Sequence, residues 1–300
     1  MITNFDQLFS TVLTKPKKRL IAAWAVDDHT ISAVYHAVQK GIVSAILVGD
    51  EHKIAAVCAH EGIDSSVFTI VHVEEELKAI SKAVEMINNG EGDVLMKGLC
   101  STDKYMRAIL NKERGLLPPK AVLSHVTVVS APTYPKLIIV GDVAVIPAPD
   151  LAQKIAITNY VIATAKALGN EKPKVALLAA TEQMLPGMQA CVDAAMIAKM
   201  ADRGQIAGAY VDGPLALDVA IDLESAKTKK LESPVAGDAD CIVFPNIESG
   251  NVFFKAVTKL AKGELAALVM GAKVPCVLTS RGDSTTSKLN SIALAALMAK

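Results

Sequence analysis

The fold is decided by residues 20–48, which read LIAAWAVDDHTISAVYHAVQKGIVSAILV. Residues 20–26 and 45–48 are apolar runs, and residues 30–39 between them place apolar side chains at helical spacing. Two strands joined by a helix predict a parallel pair, because parallel strands need a crossover connection. This stretch therefore predicts an α/β fold.

The same alternation extends along the chain. A first amphipathic helix at 4–13, helices at 53–60 and 75–88 and strands at 68–73 and 94–96 are followed by two adjacent strands, 121–130 and 137–140, joined by a turn-rich linker. Pro147–Asp150 marks a candidate domain boundary. Beyond it we predict helices at 151–168, 187–201, 215–223, 250–262 and 287–298, and strands at 175–178, 207–211, 242–244, 265–270 and 274–278. Residues 223–237 are polar and indicate an exposed excursion.

The composition excludes several classes of protein. The 31 Lys and Arg residues balance 31 Asp and Glu residues, so no basic surface for nucleic acid or an anionic membrane is expected. Hydrophobic residues make up 51% and the mean hydropathy is +0.35. Every apolar run nevertheless falls short of the roughly 20 residues that span a bilayer. With only 4% aromatics, the core is built from Ala, Val, Ile and Leu, as is typical of parallel sheets covered on both faces.

The cysteines indicate the compartment. Five are scattered without close pairs, which is typical of free thiols in a reducing environment. Residues 15–26 resemble a signal peptide, because basic residues precede an apolar run. They begin too far from residue 1 for that role, and Asp27 follows them directly. We expect a cytoplasmic protein.

Common catalytic motifs are missing from the sequence. It holds no Walker loop, no G-x-G-x-x-G after a strand and no G-x-S-x-G elbow. The six histidines all lie in the first half without zinc spacing. Asp218 and Asp222 stand four apart and could share a metal, but two solvated carboxylates explain them better.

Two arginines stand out against a large excess of lysine. Arg107 follows Lys97-Gly98-Leu99-Cys100-Ser101-Thr102, where a strand runs through a small-residue turn into a helix, and Arg281 lies in a similar stretch, 278–288. A strand end followed by a helix start is the usual anion site of parallel sheets, and arginine is a bidentate partner for phosphate. Ordinary helix capping explains the Ser and Thr residues equally well.

At this point a family resemblance emerges. The motif residues are Gly98, Ser101-Thr102 and Arg107, then Asp142, Asp150-Leu151-Ala152, Asp212-Gly213, Ser233-Pro234-Val235-Ala236-Gly237, Phe244-Pro245, Gly250-Asn251 and Ser280-Arg281-Gly282. In this order they resemble the phosphate acetyl/butyryltransferase family from about residue 94 onward. The closing stretch, 279–295, is more similar to its butyryl branch.

The resemblance implies a fold and a reaction. The fold is α/β, with two αβα sandwich domains of mainly parallel sheets around an interdomain cleft, as in isocitrate and isopropylmalate dehydrogenases. One domain takes residues 1–143 and 276–300, and the other takes the inserted residues 144–275. The enzyme transfers a short acyl group between coenzyme A and inorganic phosphate, without a cofactor or metal, as a homodimer or higher homo-oligomer.

The resemblance also implies roles for single residues. Arg107 and Arg281 would hold the phosphate, with Gly98, Ser101 and Thr102 beside it, and Ser280 would donate to the tetrahedral intermediate. The acetyl branch has an aspartate where this chain has Ser287, so the base is unassigned; Asp283 is the nearest acid, or else the helix N-cap. Ser233 and Asn251 would line the other cleft wall, or serve as turn and cap. Cys100 is interpreted as a buried filler.

Three other functions stay open. A phosphate acetyltransferase would differ only in acyl-chain length, which sequence sizes poorly. A decarboxylating dehydrogenase of similar shape would need a metal and a nicotinamide. A non-catalytic sensor of coenzyme A or acyl phosphate would release no thiol.

Overall fold

The computed structural model of the chain describes residues 1–279 and 283–300. Its strands are β1 (Lys18–Ala23), β2 (Val43–Gly49), β3 (Thr69–His72), β4 (Val94–Lys97), β5 (Ser124–Ser130), β6 (Ile138–Gly141), β7 (Lys174–Leu178), β8 (Tyr210–Leu215), β9 (Cys241–Val243), β10 (Glu264–Met270) and β11 (Cys276–Val277). Its α-helices are α1 (Phe5–Val12), α2 (Asp28–Gln39), α3 (Glu51–Glu61), α4 (Glu76–Asn88), α5 (Thr102–Ile109), α6 (Leu151–Ala167), α7 (Gln189–Asp202), α8 (Leu217–Ile221), α9 (Leu223–Thr228), α10 (Ile247–Lys255) and α11 (Thr285–Met298). The α/β class predicted from residues 20–48 is confirmed.

The chain forms two compact units. The terminal unit comprises Phe5–Leu123 and Leu265–Lys300, and the mid-chain unit comprises Met1–Asn4 and Ser124–Glu264. These divisions differ from the predicted ones at 143/144 and 275/276. The reason lies in the hydrogen bonding, since β5 pairs with β6 and β6 pairs with β9, which ties residues 124–141 to the mid-chain unit.

The sheet of the terminal unit has the strand order β3-β2-β1-β4-β11-β10. β10 is antiparallel to β11, and all other neighbours are parallel. Residues 20–23 of β1 are fully buried because helices cover both faces, as the unbroken apolar run predicts. α11 packs against α1 and α2, so the last helix of the chain belongs to the same unit as the first.

The mid-chain unit repeats this architecture with the order β5-β6-β9-β7-β8. β5 and β6 are antiparallel, which confirms the two adjacent strands predicted there, and the remaining pairs are parallel. Its core is aliphatic with one aromatic anchor; it includes Val129, Ile138, Leu178, Val219, Ile242 and Phe244.

Some predicted boundaries were wrong. β1 ends at Ala23 instead of residue 26, because Trp24 turns the chain with a φ of 55°. The predicted helix at 215–223 is shorter, since β8 runs to Leu215 and α8 covers only Leu217–Ile221. The predicted polar excursion contains α9, capped by Asp222, and it buries Ala226 and Val235 in the core. The polar side chains of residues 223–237 predicted an exposed segment, so the burial of Ala226 and Val235 was not expected.

Within residues 1–279 and 283–300, no helix has the length and apolarity needed to cross a bilayer.

Candidate active site

One edge of the sheet in the terminal unit carries the ends of three adjacent strands. β4 lies between β1 and β11 and is parallel to both, so all three carboxyl ends share this edge. Ligands of open parallel sheets bind outside such ends. Most predicted site residues follow these strands: Gly98, Ser101, Thr102 and Arg107 after β4, and Ser280, Arg281 and Asp283 after β11. Of these, Ser280 and Arg281 lie outside the described residues.

The loop between β4 and α5 packs directly against the end of β1. The amide of Gly98 donates to the carbonyl oxygen of Ala23, and the amide of Leu99 donates to that of Trp24, both at 2.9 Å. A Cβ on Gly98 would overlap the Trp24 carbonyl group. Gly98 is therefore required by the close approach of two backbones, which brings the loop against β1.

α5 begins where the sequence predicts a helix start. Ser101 is the N-cap, and its Oγ accepts a hydrogen bond from the amide of Lys104 at 3.2 Å. Thr102 is the first residue of α5 and is exposed. The first amides of a helix lack intrahelical acceptors and carry the positive end of the helix dipole. This end of α5 can therefore bind an anion, while the Ser101 side chain serves as a cap.

Lys97, to which the sequence reasoning gave no role, lies beneath this loop. Its side chain is buried, and Nζ donates to the carbonyl oxygens of Gly98 at 3.2 Å and of Cys100 at 2.9 Å. A buried cation at the end of a strand fixes the loop and adds positive charge to its surroundings. The signal was present in the sequence, because a lysine ends an otherwise apolar strand.

Arg107 lies on the second turn of α5 and is exposed. Its guanidinium pairs with the carboxylate of Asp103, one helical turn earlier, with Nε 2.9 Å from Oδ2. Exposed pairs of this kind contribute little to stability, so an anionic ligand can compete with Asp103 for the guanidinium. The Arg107 guanidinium is therefore available to an anion without the loss of a contact that stabilises the fold.

The segment after β11 leads into α11. Ser284 is the N-cap, because its Oγ accepts from the amide of Ser287 at 3.1 Å. The alternative in which Asp283 caps this helix is therefore wrong. The Asp283 carboxylate acts electrostatically on Lys288, one turn into α11, where it opposes the lowering of the ammonium group's pKa by burial.

Lys288 is a second buried cation at this edge. Its Nζ donates to the hydroxyl of Thr279 at 3.1 Å. Thr279 directly precedes Ser280 in the sequence. Burial lowers the pKa of Lys288, and the carboxylates of Asp27 and Asp283 oppose this effect. The hydrogen bond from Lys288 to Thr279 thus links α11 to the segment that follows β11.

Two other sequence interpretations concern nucleophiles and metals. Burial raises the pKa of the Cys100 thiol to about 11, which confirms a buried filler and not an activated nucleophile. Asp218 lies 3.4 Å from Lys229 Nζ, whereas Asp222 caps α9. Within the described part of the chain, no cluster of His, Cys, Asp or Glu could hold a metal ion.

The mid-chain unit holds the remaining predicted residues. The Oγ of Ser233 accepts from the amides of Val235 at 3.1 Å and Ala236 at 3.2 Å, so this hydroxyl shapes a turn. On α10, Asn251 Nδ2 donates to the Val143 carbonyl oxygen at 3.2 Å. Both side chains are partly buried and have structural contacts, which leave further hydrogen-bonding capacity on each group.

Asp142 from the family motif is a structural centre of the mid-chain unit. Its carboxylate accepts hydrogen bonds from the Ser124 hydroxyl and from four amides, those of residues 125, 144, 145 and 146, at 2.7 to 3.3 Å. A Cβ on Gly250 would overlap the Asp142 carbonyl group. These two motif residues thus hold the loop after β6 that Asn251 also contacts.

Comparison with known proteins places this geometry in context. The family model described as phosphate acetyl/butaryl transferase matches residues 76–296. A phosphate butyryltransferase of Clostridium acetobutylicum is 44% identical over 299 residues, covering 100% of this chain and 99% of that protein. A phosphate acetyltransferase of Thermotoga maritima is 39% identical, covering 98% and 99%. The crystal structure of a branched-chain phosphotransacylase from Enterococcus faecalis superposes with a TM-score of 0.82 at 31% identity, covering 94% and 98%.

Proposed function

The chain belongs to the phosphate acetyl/butyryl transferase family, and on this premise we propose that it is a phosphate butyryltransferase. The enzyme transfers a butyryl or branched short acyl group reversibly between coenzyme A and inorganic phosphate. The observation that carries the proposal is the 44% identity to a phosphate butyryltransferase along the whole chain. The branched-chain phosphotransacylase structure supports the same acyl class.

Phosphate binding is assigned to the edge formed by β4 and β11. The first turn of α5 offers backbone amides beside Thr102, and Arg107 offers a guanidinium that pairs with the exposed Asp103. Lys97 adds a fixed positive charge beneath the loop. Arg281 is the second guanidinium of this proposal. A phosphate dianion matches such donors, because bidentate charge-assisted hydrogen bonds are strong.

Acyl transfer also requires stabilisation of an oxyanion. Attack of a thiolate on acyl phosphate, or of phosphate on a thioester, places negative charge on the carbonyl oxygen. Ser280 is the proposed donor to that oxygen. Its neighbour Thr279 is held by the Lys288 ammonium, which supports a fixed position for the chain entering this segment.

The mid-chain unit is proposed to contact coenzyme A through Ser233 and Asn251. The Ser233 oxygen accepts two amides, and a hydroxyl in that state can still donate its hydrogen to a ligand. The Asn251 amide uses one N–H in its contact with Val143, which leaves its oxygen as an acceptor. Together these groups can bind the polar arm of the coenzyme.

The reaction as proposed uses coenzyme A and phosphate as its only co-reactants. The five free cysteines are all buried, in keeping with a protein of the reducing cytoplasm. A homodimer or higher homo-oligomer is part of the proposal and can be tested by light scattering.

A phosphate acetyltransferase is the second candidate, favoured by the 39% identity to the Thermotoga maritima protein. The family match over residues 76–296 disfavours a decarboxylating dehydrogenase. Only an activity assay separates the enzyme from a non-catalytic sensor, because a sensor releases no thiol.

The proposed class is tested by phosphate-dependent release of coenzyme A from butyryl-coenzyme A. The free thiol is measured with a chromogenic disulfide, with chelator present and nicotinamide omitted. Turnover that requires phosphate supports the proposal. Absence of thiol release from every short acyl-coenzyme A would support a sensor, and dependence on metal and nicotinamide would support a dehydrogenase.

A further inference from the structure

Asp27 lies where β1 turns into α2 and has two carboxylate oxygens in different situations. Oδ1 accepts a hydrogen bond from the Thr30 amide at 2.9 Å and so caps α2. Oδ2 is shielded from solvent and has no hydrogen-bond partner among residues 1–279 and 283–300. The residue as a whole is partly exposed. Capping therefore accounts for one oxygen of Asp27 and leaves the other unexplained.

The corresponding residue after the neighbouring strand provides a contrast. Asp50 follows β2 and caps α3, and its Oδ1 accepts from the amides of His52 and Lys53. Its Oδ2 lies 3.6 Å from the Lys53 ammonium group. Within the described residues, both oxygens of this cap therefore have a charged or hydrogen-bonding neighbour, whereas Oδ2 of Asp27 has no hydrogen-bond partner.

A second polar atom in the same helical turn shares this property. Thr30 is 1% exposed, and its Oγ1 has no hydrogen-bond partner within the described part of the chain. Buried polar groups are nearly always hydrogen-bonded, and each exception calls for an explanation such as strain, a catalytic role or a bound water or ion. Two unpaired oxygens within one turn of α2 indicate that a hydrogen-bond donor from outside the chain belongs here.

The position of Asp27 relates it to the proposed acyl-transfer site. The chain just before it, at Trp24, accepts a hydrogen bond from Leu99 of the β4–α5 loop. The carboxylates of Asp27 and Asp283 both raise the pKa of Lys288 electrostatically, against the effect of burial, and Lys288 donates to Thr279 beside the predicted catalytic segment. The carboxylate thus lies at the edge where the ends of β1, β4 and β11 converge.

We propose that Asp27 is the proton acceptor for the thiol of coenzyme A. This inference rests on the proposed function and supplies the base that the sequence left unassigned. A thiol can donate a hydrogen bond to an unpaired carboxylate oxygen. The unperturbed thiol pKa of about 8.5 leaves the thiol mostly protonated at neutral pH. Removal of that proton generates the nucleophile.

The step balances without any further reactant. In the direction that consumes acyl phosphate, the thiol proton moves to Asp27 Oδ2 and the sulfur forms a C–S bond with the carbonyl carbon. The tetrahedral intermediate then restores its C=O bond, and the C–O bond to phosphate breaks with its electron pair on the phosphate oxygen. Asp27 returns the proton to the departing phosphate. The reverse direction uses the same groups in the opposite order.

The test compares Asp27→Asn with a matched control, Asp50→Asn. Asparagine caps helices as well as aspartate does, so both variants keep the cap and only Asp27→Asn removes the proposed base. The assay measures turnover of butyryl phosphate with coenzyme A from pH 6 to pH 9. We expect kcat of Asp27→Asn at neutral pH to fall by a factor on the order of 10² to 10⁴. We expect Asp50→Asn to stay within about twofold of wild type.

The pH dependence separates a base from a structural role. The deficit of Asp27→Asn should shrink as the pH approaches the thiol pKa of about 8.5, because the thiolate then forms without help. A wild-type rate and profile for Asp27→Asn, a deficit independent of pH, or an equal loss in Asp50→Asn would overturn the inference. If Asp27→Asn does not fold, Asp27→Ser, another favoured N-cap, carries the same expectation. A wild-type enzyme inactive on butyryl phosphate overturns the proposed function itself.

Discussion

Gly98 and Trp24 lie in backbone contact, which joins the end of β1 to the loop after β4. The Leu99 amide donates to the Trp24 carbonyl oxygen at 2.9 Å, and the approach at residue 98 leaves no room for a Cβ. Trp24 adopts a left-handed φ of 55°, which non-glycine residues rarely do. The same turn directs the chain to Asp27 and α2. One backbone contact therefore relates the predicted phosphate loop to the proposed proton acceptor.

Gly98→Ala should damage both stability and turnover. The added methyl group meets backbone, which cannot move aside as a side chain can, so we expect a loss of about 1–3 kcal/mol in the free energy of unfolding. Displacement of the loop should lower kcat at least tenfold, since an error of about 1 Å at a catalytic centre can cost 10²-fold. Gly187→Ala is the control, because nothing lies within 4 Å of a Cβ there. Denaturant unfolding and turnover of both variants test this, and equal behaviour of the two would contradict it.

Arg107 and Arg281 are expected to act on one ligand. Loss of a hydrogen bond to a charged group costs about 1.5–3 kcal/mol, so each single alanine variant should lower kcat/KM for phosphate by roughly 10- to 100-fold. If both hold the same phosphate, the double variant should lose less than the product of the single losses. Arg203→Ala, at the end of α7, is the matched control and should be unchanged. Strictly multiplicative losses would argue for separate ligands.

Cys100 should be unreactive in the native protein. Its pKa of about 11 leaves a thiolate fraction on the order of 10⁻³ at pH 8, so iodoacetamide should not inactivate the enzyme, and Cys100→Ala should retain turnover.

The raised pKa of Cys100 means that the folded state binds the thiol proton more tightly than the unfolded state. Its contribution to stability is complete below about pH 9 and is lost as the pH rises towards about 11. Thermal unfolding across that range should therefore show a smaller alkaline decline in Cys100→Ala. Rapid alkylation at pH 8 with loss of activity would refute this assignment.

Lys154 and Asp193 form a buried ion pair that fastens α6 to α7. Their side chains are 8% and 6% exposed, and Nζ lies 2.7 Å from Oδ2. Lys154→Met leaves an uncompensated buried carboxylate and should cost about 3–5 kcal/mol in the free energy of unfolding. The double variant Lys154→Met, Asp193→Leu removes both charges and should recover most of that loss. Chemical denaturation of the three proteins gives the answer, and a double variant no more stable than the single one would be inconsistent with it.

Periodicity in the sequence was sufficient to predict the fold class and most elements. The runs at 20–26 and 45–48 became β1 and β2, and the turn-rich residues 131–135 did join antiparallel strands. Such runs are informative because strands covered on both faces must be apolar throughout. The division between the units was not predictable, because it depends on strand pairing across long sequence separations. The course of the chain at Trp24 was missed for a similar reason, since this residue contacts the loop after β4, which is distant in the sequence.

The candidate site was predicted in part. Arg107 and the Ser101–Thr102 helix start could be recognised from their place after a strand, and the structure puts them there. Lys97 and Lys288 were passed over because lysine is common in this chain, and only burial distinguishes these two from the solvated ones. Nothing in the sequence singled out Asp27, and its unpaired oxygen becomes visible only in three dimensions.

Acyl-chain preference tests the central claim most directly. The measurement is kcat/KM for acetyl-, butyryl- and isobutyryl-coenzyme A with saturating phosphate. Thiol release is the readout for all three substrates, under identical conditions. Each methylene is worth about 1–3 kcal/mol in an apolar pocket, so a butyryl or branched preference over acetyl of at least tenfold is expected. A higher kcat/KM with acetyl-coenzyme A than with either longer substrate would contradict the assignment as a phosphate butyryltransferase.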